Sequence, residues 1–292
     1  MAVDKLQEKI RKLKNPSMVD LSVPEELIPP HIRQEEATML QAYGRYYHEL
    51  LSALHGVVPA VRVRLGYFSL MGHDGITLLR DVTKLAQEHG FYVLLDAPES
   101  FSSFDAENAV KKLFSEQCPW YFDGLVVSAY AGSDVIKPYV NCLKDSGKDL
   151  FVVLRTANKS ASELQDMLSG SRLMYMAAAD KVNRQTAGLV GKSGYSQVAG
   201  VGPASNADSL KNLRTKYPNL FLLIDGYDYT NANAKNCAQA FDKFGHGAIA
   251  CADIGITGAW QEAHNSGQEY IMLSVAAAER MKKNLLRYVT VL

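Results

Sequence analysis

The sequence predicts an α/β protein built as a single (β/α)8 TIM barrel, with an extra helix after the first strand and a long helix at the C-terminus. Two observations carry that prediction. Short apolar runs rich in β-branched residues alternate with longer segments of helical period, the pattern of parallel strands joined by crossover helices. The runs number eight in a chain of 292 residues, a length near the roughly 250 residues typical of a closed barrel. A doubly wound open sheet is the alternative use of the same elements.

The first fifteen residues, MAVDKLQEKIRKLKN, are polar and amphipathic and read as a helical extension (1–15). The first strand is SMVDLSV (17–23), followed by the extra helix at 34–54 and the second strand, VPAVRVRLG (58–66). Next come a helix at 75–89, FYVLLDA (91–97), a helix at 106–116, GLVVSAY (124–130), a helix at 133–145 and DLFVVLRT (149–156). A long helical segment at 160–181 leads to YSQVAGV (195–201), a helix at 205–216, NLFLLIDG (219–226), a helix at 233–244 and GAIACAD (247–253). The closing helix runs from about 260 to 289. No solenoid-period repeat and no low-complexity linker divides the chain, so residues 1–292 read as one domain.

Composition excludes several classes of partner. Hydrophobic residues make up 47%, enough for a sizeable core, and Lys plus Arg equals Asp plus Glu at 31 each. No basic cluster stands out beyond residues 5–14, which argues against nucleic acid. The N-terminus lacks the apolar core of a signal peptide and no apolar run approaches the roughly 20 residues of a membrane span, so a soluble cytoplasmic protein is expected. Cys118, Cys142, Cys237 and Cys251 stand far apart, without C-x-x-C or a histidine at ligand spacing, and read as reduced core thiols. No metal centre and no cofactor is expected, although Asp96, Asp225 and Asp253 are the hard oxygen donors that magnesium would use.

In a barrel, ligand-binding residues collect where strands end. The strand ends here carry Asp20 and Ser22; Arg62 and Arg64; Asp96; Ser128 and Tyr130; Arg155, Thr156 and Asn158; Gly202 and Ser205; Asp225, Tyr227 and Asp228; and Asp253. Three apolar strands ending in aspartate (VLLD96, LLID225, ACAD253) would converge carboxylates on one mouth, with Arg62, Arg64 and Arg155 as counter-ions. The competing reading is that each aspartate caps a helix or forms a structural ion pair. GLVGKSG (188–194) resembles a phosphate-cradling loop but has Thr186 at the first glycine position and follows a helix. Gly200, Gly202 and Ser205 fit either an anion site or a tight strand-to-helix turn. His73 and His264 pair with no nucleophile, Ser128 and Ser193 lack a nucleophile elbow, and Tyr43, Tyr46 and Tyr47 read as helix packing.

Three segments resemble the bacterial branch of the orotidine-5'-phosphate decarboxylases, in that family's order and spacing. LAQEHGFYVLLDA is similar to the helix and strand before the family's D-A-K-R-G-D loop. VVSAYAGSDVIKPYV is similar to V-N-P-Y-x-G-x-D-x-x-x-P, and FVVLRTANKSASELQDM to F-V-L-x-R-T-S-N-P-x-x-x-x-x-Q-D. The resemblance covers about residues 58 to 175 and implies a pyrimidine-synthesis barrel that dimerises with its active-site loops at the subunit interface.

It also implies a catalytic set that this chain only partly keeps. Asp96 matches the first aspartate of the loop, but the proton-donating lysine falls on Pro98 and the second aspartate on Phe101. The second-strand lysine matches Arg62, and the ribose-holding aspartate of the first strand matches Ser22. The family's S-R-G-I phosphate segment matches Asp253, Ile254, Gly255 and Ile256, and its P-G-x-x-x-Q turn begins at Asp225 and Gly226. The resemblance therefore implies a non-decarboxylating relative binding a small polar ligand through Arg62, Tyr130, Arg155, Asn158, Asp225 and Asp253, with Asp96 as the retained catalytic position. Two alternatives stay open: a pseudoenzyme acting as a dimeric regulatory or interaction protein, and an active decarboxylase with a rerouted acid such as Glu99 or Arg62.

Overall fold

Eight parallel strands close into a barrel: β1 (Ser17–Asp20), β2 (Ala60–Arg64), β3 (Tyr92–Asp96), β4 (Gly124–Ser128), β5 (Asp149–Val153), β6 (Val198–Pro203), β7 (Leu222–Asp225) and β8 (Ala248–Ala252). The structure is a computed structural model and describes residues 2–98, 106–229, 231–264 and 266–292. Each strand pairs with its sequence neighbour, and β8 returns to β1 through Ser17 opposite Ala250 and Val19 opposite Ala252, so the open-sheet alternative falls. Parallel strands covered on both faces read as continuous apolar runs, and every residue of β5 and β8 is buried. All eight runs become strands, most of them shorter than the apolar stretch, since several runs continue past the last ladder pair into the loop.

Register sets the height of the charged strand ends. Asp20 lies opposite Arg62, Arg64 opposite Asp96, and Pro203 opposite Asp225. The C-terminal rim of the barrel therefore carries acid and guanidinium at one level.

Around the barrel lie α1 (Ala2–Leu13), α2 (Met39–Leu54), α3 (Gly72–Glu88), α4 (Ala106–Leu113), α5 (Ser133–Ser146), α6 (Met174–Asn183), α7 (Ala207–Lys216) and α8 (Tyr270–Leu286). α1 is the expected N-terminal helix, and it buries Val3, Leu6 and Ile10. Gln7 accepts from the N–H of Gly247, just before β8, and Asp4 accepts from the N–H of Lys192 and from the N–H and hydroxyl of Ser193. The loop that resembled a nucleotide cradle thus holds the carboxylate of Asp4. In α2, the hydroxyls of Tyr43, Tyr46 and Tyr47 donate to the carbonyls of Val23, Thr257 and Leu21, so this tyrosine stripe packs and pins the loops after β1 and β8.

Four expected helices are broken, each for a local reason. The segment 34–54 splits between a helix at Pro30–Glu35 and α2, whose start is capped by the extended Thr38 accepting from the N–H of Gln41. The segment 160–181 contains a short turn, Ala161–Leu164, then a hairpin of Leu168–Ser169 with Arg172–Leu173, and only then α6. Gly170, at φ +66°, makes the hairpin turn between two serines, a conformation glycine adopts without steric cost. The segment 233–244 is helical only at Ala234–Cys237 and Ala238–Ala240, because Asp242 takes the N–H groups of Phe244 and His246 and so competes with the helix. The C-terminal helix is Ala259–Glu262 followed, after Gly267 at φ +89°, by α8.

Cys237 and Cys251 are buried core thiols, whereas Cys118 and Cys142 are half-exposed, and all four are free. Among the described residues, no helix is long and apolar enough to cross a membrane.

Candidate functional site

Alternation along β2 directs Val61 and Val63 to one face and Arg62 and Arg64 to the barrel interior. Arg62 is 1% exposed, and each of its three guanidinium nitrogens faces a carboxylate. Nε lies 2.5 Å from Oδ2 of Asp20, Nη1 lies 2.6 Å from Oδ1 of Asp225 and 3.4 Å from Oδ2 of Asp96, and Nη2 lies 2.9 Å from Oδ1 of Asp253. Arg64 closes the network, with Nε 2.8 Å from the same oxygen of Asp20 and Nη2 2.9 Å from Oδ2 of Asp253. Four strand ends thus lend aspartates to one arginine, and barrel closure brings the β8 end beside β1.

Charge and burial act against each other here. Burial pushes Asp20 toward the neutral acid, but Arg62, Arg64 and the hydroxyl and N–H of Ser22 outweigh it, so its pKa sits below the usual value. Asp96 is pushed up to about 6 by burial, which Arg62 offsets only in part. Asp253 is raised by burial and by the neighbouring charge of Asp20. Burial opposes the charge on Arg62, yet the surrounding acids hold its pKa well above the usual value. Oxygens of Asp20 and Asp253 and the sulfur of Cys251 lie within 4.8 Å of one another, a spacing a metal would accept. Those oxygens bond Arg62 and Arg64 instead, and burial raises the Cys251 thiol well above its usual value. The cations that these oxygens meet are the guanidiniums of Arg62 and Arg64.

Over this cluster opens a cavity of about 320 Å³, lined by Arg62, Arg64, Tyr67, Asp96, Pro98, Thr156, Asp225 and Tyr229, with Val126, Val153 and Val201 as apolar wall. A second cavity, of about 700 Å³, is lined by Arg155, Asn158, Lys159, Ser205, Asn206, Asp228, Asn231 and again Tyr229. Arg155 does not serve the aspartate cluster as a counter-ion. It is bidentate on Asp166, at 2.8 Å for both bonds, and so ties the β5 strand end to the hairpin insertion. Tyr130 donates to the carbonyl of Leu154, and Asn158 accepts from the hydroxyl of Thr156.

The loop after β8 has an internal anion. Oδ2 of Asp228 accepts from the N–H of Asp253 at 2.7 Å and from that of Gly255 at 3.1 Å. A side chain at Gly255 would put its Cβ 2.6 Å from Oδ1 of Asp228, so glycine is what lets the carboxylate approach. Burial raises the pKa of Asp228, and the two N–H groups work to lower it.

Of the residues expected to form the site, Arg62, Asp96, Asp225 and Asp253 converge and Arg155 and Asn158 line the second cavity, while Tyr130 belongs to neither lining and donates to the carbonyl of Leu154 next to Arg155. Ser22 gives its N–H to Asp20 and accepts from the N–H of Arg64. Glu99 and Phe101 lie outside the described residues. Arg64 joins the site as the counter-ion its strand end suggested, and Asp20 joins it although the sequence pattern singled it out only as a strand end; SMVD20 ends as VLLD96 and LLID225 do, which is the signal that marks it. Asp166 lies in a segment read as helix and was marked only as the Q-D aspartate of the resembling segment, and Tyr229, past a strand end, carried no signal.

Residues 60–258 match the model of the orotidine 5'-phosphate decarboxylase / HUMPS family. The orotidine 5'-phosphate decarboxylase of Clostridium novyi (strain NT) is 25% identical over 288 residues, covering 98% of this chain and 99% of the relative. That of Rhodopirellula baltica is 27% identical over 212 residues, covering 71% of this chain and 70% of its own. Among solved structures, Leishmania donovani OMP decarboxylase superposes with a TM-score of 0.75 at 20% identity, covering 98% of both chains. Plasmodium berghei orotidine 5'-monophosphate decarboxylase gives 0.79 at 13% identity, covering 98% of this chain and 99% of that one. At these identities the structural likeness is one of fold.

Proposed function

The chain belongs to the orotidine 5'-phosphate decarboxylase / HUMPS family, and from that premise we propose that it is a non-decarboxylating member whose barrel mouth binds a small, unphosphorylated, donor-rich ligand. The observation that carries this reading is the set of four aspartates around Arg62. Four carboxylates meet two guanidiniums, so the fully ionised cluster has two negative charges in excess. An added anion about 4 Å from one uncompensated carboxylate meets a repulsion of about 4 kcal/mol at an effective dielectric of about 20, roughly a thousandfold in affinity. A cation or a protonated amine meets attraction there, and a sugar hydroxyl can donate to the carboxylates.

Two further features support the same reading. Pro98, at the position that matches the family's proton-donating lysine, lines the first cavity and has no proton to give. Asp228 already holds two backbone N–H groups in the segment that matches the family's phosphate clamp, and its charge disfavours a phosphate dianion there. A mouth closed by its own side chains would favour a purely regulatory role. The cavity lined by described residues favours a ligand, and Tyr227, one of the side chains that would close the mouth, turns its hydroxyl toward Asn284. The same reading takes the protein as a cytoplasmic homodimer, a state that light scattering after size-exclusion chromatography measures directly.

Calorimetric titration with uridine and orotidine monophosphates, alongside a decarboxylation assay read by loss of orotate absorbance, tests the proposal. No binding heat and no turnover are expected. Tight binding with turnover would overturn it and restore a pyrimidine enzyme with an unfamiliar acid.

A further inference from the structure

The second cavity is the larger of the two, and it differs from the first in chemistry. Its walls are mostly amides and hydroxyls, and its charged groups balance: Arg155 is bonded to Asp166, and Lys159 faces a wall that also holds Asp228. Two of its amides have a fixed orientation. Oδ1 of Asn158 accepts from the hydroxyl of Thr156 at 2.6 Å, and Oδ1 of Asn206 accepts from the N–H of Ser209 at 2.9 Å. Each amide therefore has its two N–H donors left over, alongside the hydroxyl of Ser205 on the cavity wall. Such a wall, donor-rich and without net charge, matches oxygens that both accept and donate, as hydroxyl groups do.

Tyr229 is 39% exposed and belongs to both cavities. It follows the turn at Gly226, where φ is +73° and where a Cβ would lie 2.9 Å from the tyrosine ring. The ring is therefore held against the turn, and its face is a surface on which a cation or an apolar C–H edge rests.

We propose that the two cavities form one bipartite site for an aminated polyol, of which an amino sugar is the simplest form. The amine meets the acidic cluster of the first cavity, and the hydroxylated part crosses Tyr229 to the amides of Asn158 and Asn206. The inference rests on the reading of the mouth as acidic and phosphate-free, and extends it.

The test is calorimetry on the full chain with three probes: glucosamine, glucose and ethanolamine. Glucosamine is expected to bind roughly tenfold more tightly than ethanolamine, the equivalent of about one well-made hydrogen bond, and glucose more weakly than both. Asn158→Ala is expected to bring glucosamine down to the ethanolamine value and to leave ethanolamine unchanged. Ser205→Ala, on the same cavity wall, provides the same comparison if Asn158→Ala does not fold. Equal affinities for glucosamine and ethanolamine, insensitive to both substitutions, would overturn the second subsite while leaving the acidic mouth intact. No binding of either amine would overturn the bipartite site, and binding of orotidine monophosphate in its place would take the parent reading with it.

Discussion

Replacing Arg62 with methionine keeps much of the side-chain volume and removes the charge that four strands share. Asp20, Asp96, Asp225 and Asp253 are between 2% and 20% exposed at their side chains, so little solvent reaches the charges left behind. Removing one partner of a buried ion pair costs about 3–5 kcal/mol, because the remaining charge stays desolvated. Arg64 continues to neutralise Asp20 and Asp253, which places Arg62→Met within that range and not at a multiple of it. A midpoint shift of about 2–4 °C per kcal/mol for a chain of this size makes the loss roughly 10 °C.

The pH dependence supplies a sharper check. Asp20 in the wild type has a lowered pKa, so its contribution is present above 3.8 and is lost as pH falls through the folded-state value. Asp96, raised to about 6, acts in the opposite sense and weakens the fold as pH rises from about 4 toward 6. Without Arg62, both acids lose their attraction and both pKa values rise. The defect of Arg62→Met is therefore larger at pH 8 than at pH 5. Thermal melts followed by circular dichroism at the two pH values measure it. A loss below about 1 kcal/mol, or an equal loss at both pH values, would refute the account of the cluster.

Two other substitutions probe separate parts of the molecule. Asp149, at the start of β5, is pushed up to about 8 by burial, which the hydroxyl of Tyr92 offsets only in part. Its folded-state pKa exceeds the ordinary value of 3.8, so the stability it contributes is complete below that value and is lost as pH rises toward 8. Asp149→Asn removes this slope, and urea unfolding should find the variant gaining over the wild type at pH 8 and not at pH 4. Asp228→Ala strips the carboxylate from the N–H groups of Asp253 and Gly255; faster hydrogen exchange at those two amides and a loss of about 1–3 kcal/mol are expected, and unchanged exchange would contradict the role given to Asp228.

Much of the barrel was legible because of a simple physical fact: a strand covered on both faces must be apolar along its length, and it ends where the chain reaches water and turns polar. The runs VLLD96 and LLID225 state both parts, and they located the acids of the mouth before any contact was known. Helix boundaries were less legible where one residue overrides periodicity. Gly170 and Gly267 turn the chain through positive φ, and Asp242 competes with backbone donors, so helices that the periodicity drew as continuous are broken.

The sequence by itself determined the fold class, the eight strands and the kinds of charge at their ends, because these follow from local burial and periodicity. Only the tertiary structure decided which charges meet. β1 and β8 are neighbours through barrel closure alone, and Asp225 reaches Arg62 across the interior from a position 163 residues away. Arg155 shares the residue type and rim position of Arg62, yet it pairs with Asp166 on its own insertion, because that carboxylate lies within 2.8 Å. Ion pairs are selected by distance and burial in the assembled barrel, and no run of adjacent residues encodes either.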